Sequence, residues 1–452
     1  MKIVNRVVIS LFTLAIMLFN GCKSDFKPVT INSGFAVLSY PIYLGGDFMS
    51  GYTNGALDSA GQRFSIPYLL NQQLKNVGIS TTYNQHFVAM PNGYGLNFPL
   101  TAPKFLTSFH LGNKTDCLGA SSLFPLNDSI SSNDANLNSE LIFYRTGAKY
   151  SAEGIPYAKL IDFTDNSMGI SLGRNPYFAQ IALVQGVSTM LSDAIAQPFT
   201  FFVLWAGMED IYQYAQRGGE GETLTDFATF DAKLDEVLDA LIVSSQGPHG
   251  VIANIPDIDN FPFYNFIPWN GLVLTTDQAN QLNSIFGTAL HFNAGPNGFM
   301  IVDSANINFP YRHMNANDRI LLTVPTDSLK CNYLGALGPV PGHYILDQNE
   351  MAKVNSAIQH FNAKIQSSAA MRNIPMVDMN AYFKQVKSGY YQDGIKFSAD
   401  FIKGAFYSLD GYHPTAQGYG LLTNEFIKTI NGFYHSNIPL VDITRLPGIV
   451  FP

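Results

Sequence analysis

Hydrophobic positions recur along this chain in two rhythms. Short continuous apolar runs, Ala36 to Leu44, Phe201 to Trp205, Val251 to Pro256 and Ile374 to Asp378, read as strands, and Phe201 to Trp205 has the unbroken apolarity of a strand buried on both faces of a parallel sheet. Elsewhere apolar residues return every three or four positions: Phe227, Phe230, Leu234, Val237 and Leu241, then Val354, Ile358, Phe361 and Ile365, then Tyr419, Leu422, Phe426 and Ile430. That spacing predicts three amphipathic helices. Another helix is expected from Ser65 as N-cap, with Pro67 in its first turn and Gly78 shortly past its end. Strands alternating with helices predict a parallel sheet in a three-layer α/β/α sandwich. Residues 79–150, rich in Asn, Ser, Gly and Pro, and residues 257–317, with their Phe261 to Trp269 aromatic run, break the rhythm. They are expected to be cap or rim insertions over the carboxyl ends of the strands, in a single domain spanning 36–452.

The amino end sets the expected compartment. Lys2 and Arg6 precede an apolar stretch, Val7 to Phe19, too short for a permanent membrane span and suited to the core of a secretory signal. It closes on Leu18-Phe19-Asn20-Gly21-Cys22, which resembles a bacterial lipobox. Residues 1–21 would be removed, Cys22 would carry lipid, and 22–35 would form the tether. The protein would then be anchored to a membrane without crossing it. Lys23 after the cysteine leans towards the outer membrane, on its periplasmic or its surface-exposed face. An ordinary signal peptide with a chance cysteine is the competing reading.

Composition narrows the partners. Charged residues make up 13 % of the chain against 46 % hydrophobic, about half the usual charged share of roughly 25 %. Loss of residues 1–21 removes two positive charges and no negative ones, taking the net charge from −8 to −10. With no basic run, nucleic acid is not an expected partner. Cys117 and Cys331 could pair outside the cytoplasm, yet two isolated cysteines are more often buried thiols, and that is the expectation. No CxxC or HExxH suggests a metal, and no cofactor is implied. His86, His249, His343 and His360 show no evident partner in the sequence.

Two motifs near opposite ends of the chain carry the chemistry. The first strand opens into Gly45-Gly46-Asp47-Phe48-Met49-Ser50-Gly51-Tyr52, and near the other end stands Ser408-Leu409-Asp410-Gly411-Tyr412-His413-Pro414-Thr415-Ala416-Gln417-Gly418-Tyr419. Together they resemble the first and last motifs of the SGNH (GDSL-type) ester hydrolases, with Asp410 and His413 matching the orienting carboxylate and the base. The closing segment and others, such as Gly250 to Pro256, also resemble large SGNH-type lipoproteins of Bacteroidetes bacteria. The resemblance implies a flavodoxin-like sheet and an acyl hydrolase, which needs a nucleophile, a base, a carboxylate and oxyanion donors. Here the functional atoms depart from the pattern. The nucleophilic serine falls on Phe48, or on Asp47 if the motif is anchored on Gly51-Tyr52; neither has a hydroxyl. Gly154-Ile155-Pro156-Tyr157 resembles the oxyanion-hole segment, with Tyr157 where a glycine belongs. Glu209-Asp210 resembles Gly-x-Asn-Asp, with Glu209 in place of the donating Asn; an ionised carboxylate there only accepts.

Substitution of the nucleophile costs such enzymes about a million-fold, and each oxyanion donor about a hundred- to a thousand-fold. Ser50, two or three residues on, is a weak substitute nucleophile and is expected instead to cap the following helix. Asp47 and Asp210 are expected to bond backbone amides around the site, and Asp410-His413 activating water directly is a minor alternative. Two classes of function remain open. The favoured one is a pseudoenzyme, an outer-membrane lipoprotein acting as a binding or assembly component with a membrane protein or a glycan. The other is an esterase or lipase-like enzyme with a rearranged centre using Asp410 and His413.

Overall fold

Five short strands pair in parallel into one sheet: β1 (Pro41–Gly45), β2 (Ala152–Gly154), β3 (Phe201–Trp205), β4 (His249–Ala253) and β5 (Met376–Val377), in the spatial order β5-β4-β3-β1-β2. This computed structural model describes residues 32–452 apart from 77–78, 80–81, 98–103, 142–148, 171–173, 246–248 and 304. The protein is a mixed α/β structure, and Ser33–Pro452 cluster as one unit. The expected signal, Cys22 and most of the tether lie outside the described residues, as does Gly78. No helix among the described residues is long and apolar enough to cross a membrane.

Every residue of β1 and β3 is buried, which accounts for their unbroken apolar character. The strand expected over Val251 to Pro256 begins two residues earlier and ends at Ala253, and that expected over Ile374 to Asp378 pairs only at Met376 and Val377. Pro256 and Pro375 have no amide hydrogen to add to a ladder, and Asp378 instead caps the next helix.

Seven helices matter for the site: α1 (Asp47–Ser50), α2 (Ile66–Asn76), α3 (Glu209–Ala215), α4 (Phe227–Ser244), α5 (Gln348–Met371), α6 (Met379–Ser388) and α7 (Ala416–Tyr434). Ser65 Oγ accepts from the Tyr68 amide at 3.3 Å at the start of α2. On α4 and α5 the apolar stripes meet, with the rings of Phe230 and Phe361 stacked at 3.7 Å between centroids. Phe227, at the first position of α4, is 41 % exposed and lies on the ring of His360 rather than in the core.

The insertions are ordered differently from expectation. The first carries a hairpin of His110–Thr115 and Ser121–Leu126. The second has its own hydrophobic cluster running from Leu272 to Ile345, well past residue 317. Cys117 and Cys331, expected as thiols, form a disulfide with their Cα atoms 6.3 Å apart, joining the hairpin tip to the short helix Thr326–Cys331.

Register places the site. Gly45, the last residue of β1, lies level with Gly154 on β2 and Trp205 on β3. The chain order of the sheet reverses between β1 and β3, where the crevice of an open α/β sheet lies beyond the strand ends. Three of the four sequence motifs therefore leave the sheet side by side.

Candidate functional site

Leaving β1, the chain turns at once into α1, and Gly154 makes room for it: a Cβ on Gly154 would lie 2.3 Å from the Met49 carbonyl carbon. Gly51 ends α1 at φ 85°, a left-handed cap that glycine adopts without strain. This tight turn sends consecutive side chains in different directions. Phe48 packs among Trp205, Phe261, Phe383 and Tyr412, with ring centroids 5.2 to 6.4 Å away, and is 2 % exposed. Asp47 turns the other way, and its Oδ2 lies 3.2 Å from His413 Nε2. Both side chains border the imidazole, Asp47 through its Oδ2 and Phe48 through its ring, whose centroid lies 5.5 Å from that of His413.

His413 arrives on the turn before α7. Its Nδ1 is 2.8 Å from Asp410 Oδ2, and Asp410 Oδ1 accepts from the amides of Tyr412 and His413 at 2.9 and 2.8 Å. Asp410 Oδ2 also accepts from the Gly55 amide at 2.8 Å, and the Ser408 hydroxyl donates to Oδ1 at 3.0 Å. Burial opposes charge on both groups, but each supplies the other's counter-charge. Asp410 is held below the usual carboxylate range. For His413, burial lowers the pKa, and Asp410 and then Asp47 more than reverse this, holding it at about 9. The imidazole is thus an imidazolium at neutral pH, clamped between two carboxylates.

Asp47 also holds a backbone amide. Its Oδ1 accepts from the Tyr157 amide at 2.5 Å. Tyr157 sits at φ 64°, the left-handed region where a tyrosine is strained by about 1–3 kcal/mol and a glycine is not. Gln213 Nε2 donates to its carbonyl at 2.7 Å, Asn175 Nδ2 donates to the Pro156 carbonyl at 2.7 Å, and the Tyr157 hydroxyl pairs with that of Tyr52 at 2.8 Å. The amide that survives at this position is therefore directed at a side chain of the same protein.

At Glu209, burial first, and then the charges of Asp47 and Asp210, push the pKa well above the usual carboxylate value. A raised pKa favours the protonated carboxyl, which can donate where an ionised one only accepts. Among the described residues its Oε1 and the buried hydroxyls of Tyr264 and Tyr412 have no hydrogen-bond partner. Asp210 accepts from the Leu160 amide and the Thr225 hydroxyl, both at 2.7 Å.

Ser50 does not face the site. Its hydroxyl donates to the Asp47 carbonyl at 2.6 Å and accepts from the Tyr52 amide at 3.1 Å, closing α1 rather than capping a following helix. The ring nitrogens of His413 contact Asp410 and Asp47, and no serine or threonine hydroxyl bonds them. Three histidines without evident partners in the sequence have carboxylates beside them: His86 with Glu140 at 3.4 Å, His360 with Asp231 at 3.1 Å and His343 with Glu220 at 3.7 Å. Among the described residues no group of three or more His, Cys, Asp or Glu could hold a metal ion.

Space at the site is nearly exhausted. A cavity of about 10 Å³, lined by Gly46, Asp47, Phe48, Ala158, Gly207 and Glu209 among others, lies beside Asp47. One water needs roughly 10–15 Å³. Sequence alone did not show that Asp47 and Glu209 border the same small cavity; the fold brings them there. No protein-family model matches the chain and no curated protein matches it, so the character of the site rests on its own geometry: a buried Asp47–His413–Asp410 array, sealed by Tyr157, Phe48 and Glu209.

Proposed function

We propose that this chain is an SGNH/GDSL-hydrolase-like protein whose centre is closed and non-catalytic, carried in the cell envelope as an outer-membrane lipoprotein through Cys22 and acting there as a binding or assembly component. Three layers, with helices on both faces of a flavodoxin-like sheet, suit strands as fully buried as β1 and β3 and the two separate helix pairs, α4 with α5 and α2 with α7. One observation carries the functional reading. Asp47 reaches with one oxygen to His413 and with the other to the Tyr157 amide, so a single side chain occupies both the attacking and the oxyanion positions of a hydrolase.

Two consequences support it. With a pKa of about 9, His413 is unprotonated in only about one molecule in a hundred at pH 7, a poor starting point for a general base. And about 10 Å³ admits no acyl group. The test is hydrolysis of short-chain aryl esters by the purified protein, with His413→Ala as control. We expect no turnover that the control lacks; turnover that depends on His413 overturns the proposal. Asp47→Ser and Phe48→Ser ask whether a hydroxyl alone restores activity, and Asp47→Ser is expected to fall short because Glu209 and Tyr157 still fill the pocket.

A second reading is favoured by the same 3.2 Å contact: Asp47 as a carboxylate nucleophile, with His413 activating water against the ester it would form. It requires substrate to reach Asp47 Oδ2, and the closed pocket weighs against it. Incorporation of solvent ¹⁸O into Asp47 during incubation with epoxides, whose ring C–O bond would break as the Asp47 ester forms, would decide in its favour.

A further inference from the structure

Far more space lies away from Asp47. A cavity of about 710 Å³ opens between the 110–126 hairpin, the segment 266–274, the helix Thr326–Cys331 and the turn at Phe401-Ile402. It contains none of the residues of the Asp47–His413 array, and a ligand bound there is compatible with either reading of that array. Its size falls in the range of roughly 300–1,000 Å³ typical of small-molecule sites.

Three features mark it as built rather than incidental. The wall is largely aliphatic and aromatic, including Leu123, Phe124, Ile267, Leu272 and Leu329. Several of its side chains stay open to solvent, Phe266 at 47 % and Val273 at 69 %. The disulfide Cys117–Cys331 ties the hairpin wall to the helix wall across 214 residues of sequence, fixing the width between them. Ile402, a β-branched residue, stands in that wall at φ 68°, and Tyr333 at φ 54°. Such strained backbone is held in place only when its surroundings over-determine it, and it gathers at ligand clamps.

Charge at the rim selects the occupant. Lys114 pairs with Asp327 at 3.1 Å and Lys330 with Asp116 at 3.0 Å, each pair joining hairpin to helix. Both lysines are matched, so the rim has no net charge to offer an ionic head group. Aliphatic contact surface therefore provides the recognition. We propose that this cavity binds a single linear alkyl or acyl chain, its polar end left in solvent beside the two lysine–aspartate pairs.

Calorimetric titration of the full chain with octanol, decanol and dodecanol, and with dodecanoate, tests this. We expect one molecule bound per protein, affinity rising about fourfold per added methylene, and dodecanol and dodecanoate agreeing within about threefold. Leu123→Asp, on a half-exposed hairpin position where folding is not at risk, is expected to weaken dodecanol at least about tenfold with an unchanged melting temperature. Reduction of Cys117–Cys331 is expected to weaken it as well, by releasing the wall. Affinity that ignores chain length, a preference of more than about tenfold for the carboxylate, tighter binding of a compact steroid such as deoxycholate, or full binding by Leu123→Asp would each overturn the proposal.

Discussion

Replacing Asp410 by asparagine changes its charge while scarcely altering volume, and so isolates the electrostatics of the buried array. An asparagine that keeps the Oδ1 bonds to the Tyr412 and His413 amides turns its NH₂ group towards Gly55 N–H and His413 Nδ1–H, setting donor against donor. At 2.8 Å the gross attraction between Asp410 and imidazolium is about 6 kcal/mol for an effective dielectric constant of about 20. Desolvation offsets much of that, and loss of one member of a buried pair costs about 3–5 kcal/mol. An independent route gives a similar figure: the rise of the His413 pKa from 6.5 to about 9 corresponds to about 3 kcal/mol, won against burial mainly by Asp410. Because the folded pKa lies above the unfolded one, this stabilisation is complete below pH 6.5 and is lost as pH rises through about 9. Urea unfolding across that window, with NMR titration of the His413 ring, measures both. In a Glu209→Gln background, which removes the separate loss from Glu209 over the same window and in which Asp410→Asn is also made, the protein is expected to lose about 3 kcal/mol between the two limits. Asp410→Asn is expected to be about 3–5 kcal/mol less stable at pH 6, to lack that slope, and to titrate His413 in the ordinary histidine range or below. A variant within about 1 kcal/mol of its Glu209→Gln parent at pH 6, or a ring that still titrates near 9, would refute the reasoning.

Other perturbations read neighbouring parts of the molecule. The Glu209 pKa is raised in the fold, so wild-type stability should fall as pH climbs above 4.5, by up to about 1.4 kcal/mol per pH unit until Glu209 ionises. Glu209→Gln should be free of that loss and more stable than wild type at pH 8 by urea titration; matching curves would show that Glu209 is already ionised. At Tyr157 the left-handed backbone reverses the usual ranking of small residues: Tyr157→Gly should exceed Tyr157→Ala in stability by about 1 kcal/mol, with both below wild type through loss of the buried ring. Equal stabilities would deny the strain. Cys117→Ser should lower stability by about 2–5 kcal/mol, since the disulfide closes a loop of 214 residues; a calorimetric melt unchanged by the substitution would contradict this.

The sheet was legible because its signal is local. Strands such as Phe201–Trp205 are buried on both sides and carry no polar residue, and the three- and four-residue spacing of α4, α5 and α7 follows directly from their apolar stripes. What escaped depended on contacts between distant segments. The Cys117–Cys331 bond joins two insertions whose approach no periodicity encodes, and the second insertion runs on to Ile345 because its cluster is assembled from short strands and loops rather than from one repeating pattern. At the site, sequence spacing could not show where the side chains of the one-turn helix α1 point: Phe48 packs in the aromatic cluster and beside the His413 ring, and Asp47 reaches His413 Nε2. The raised pKa of Glu209 was hidden for a related reason: a carboxyl's pKa depends on burial and on a second carboxyl group brought beside it by folding.

A buried aspartate–histidine pair is usually read as a sign of chemistry, yet here both residues also have structural duties. Asp410 holds the Gly55 amide, and around it Asn54 donates its amide to Ser408 Oγ at 2.9 Å and accepts from the Leu409 amide at 3.0 Å, while Thr53 Oγ1 donates to the Pro414 carbonyl at 2.9 Å. These bonds sew the loop after α1 to the turn before α7, more than 350 residues apart in sequence. His413 completes the seam from the other side by neutralising Asp47, which would otherwise be a buried carboxylate beside a second one, and an isolated buried charge costs far more than a paired one. With Asp47 at the end of β1, the imidazolium and its partner have a structural role of their own, so their presence by itself does not decide between a binding protein and an enzyme.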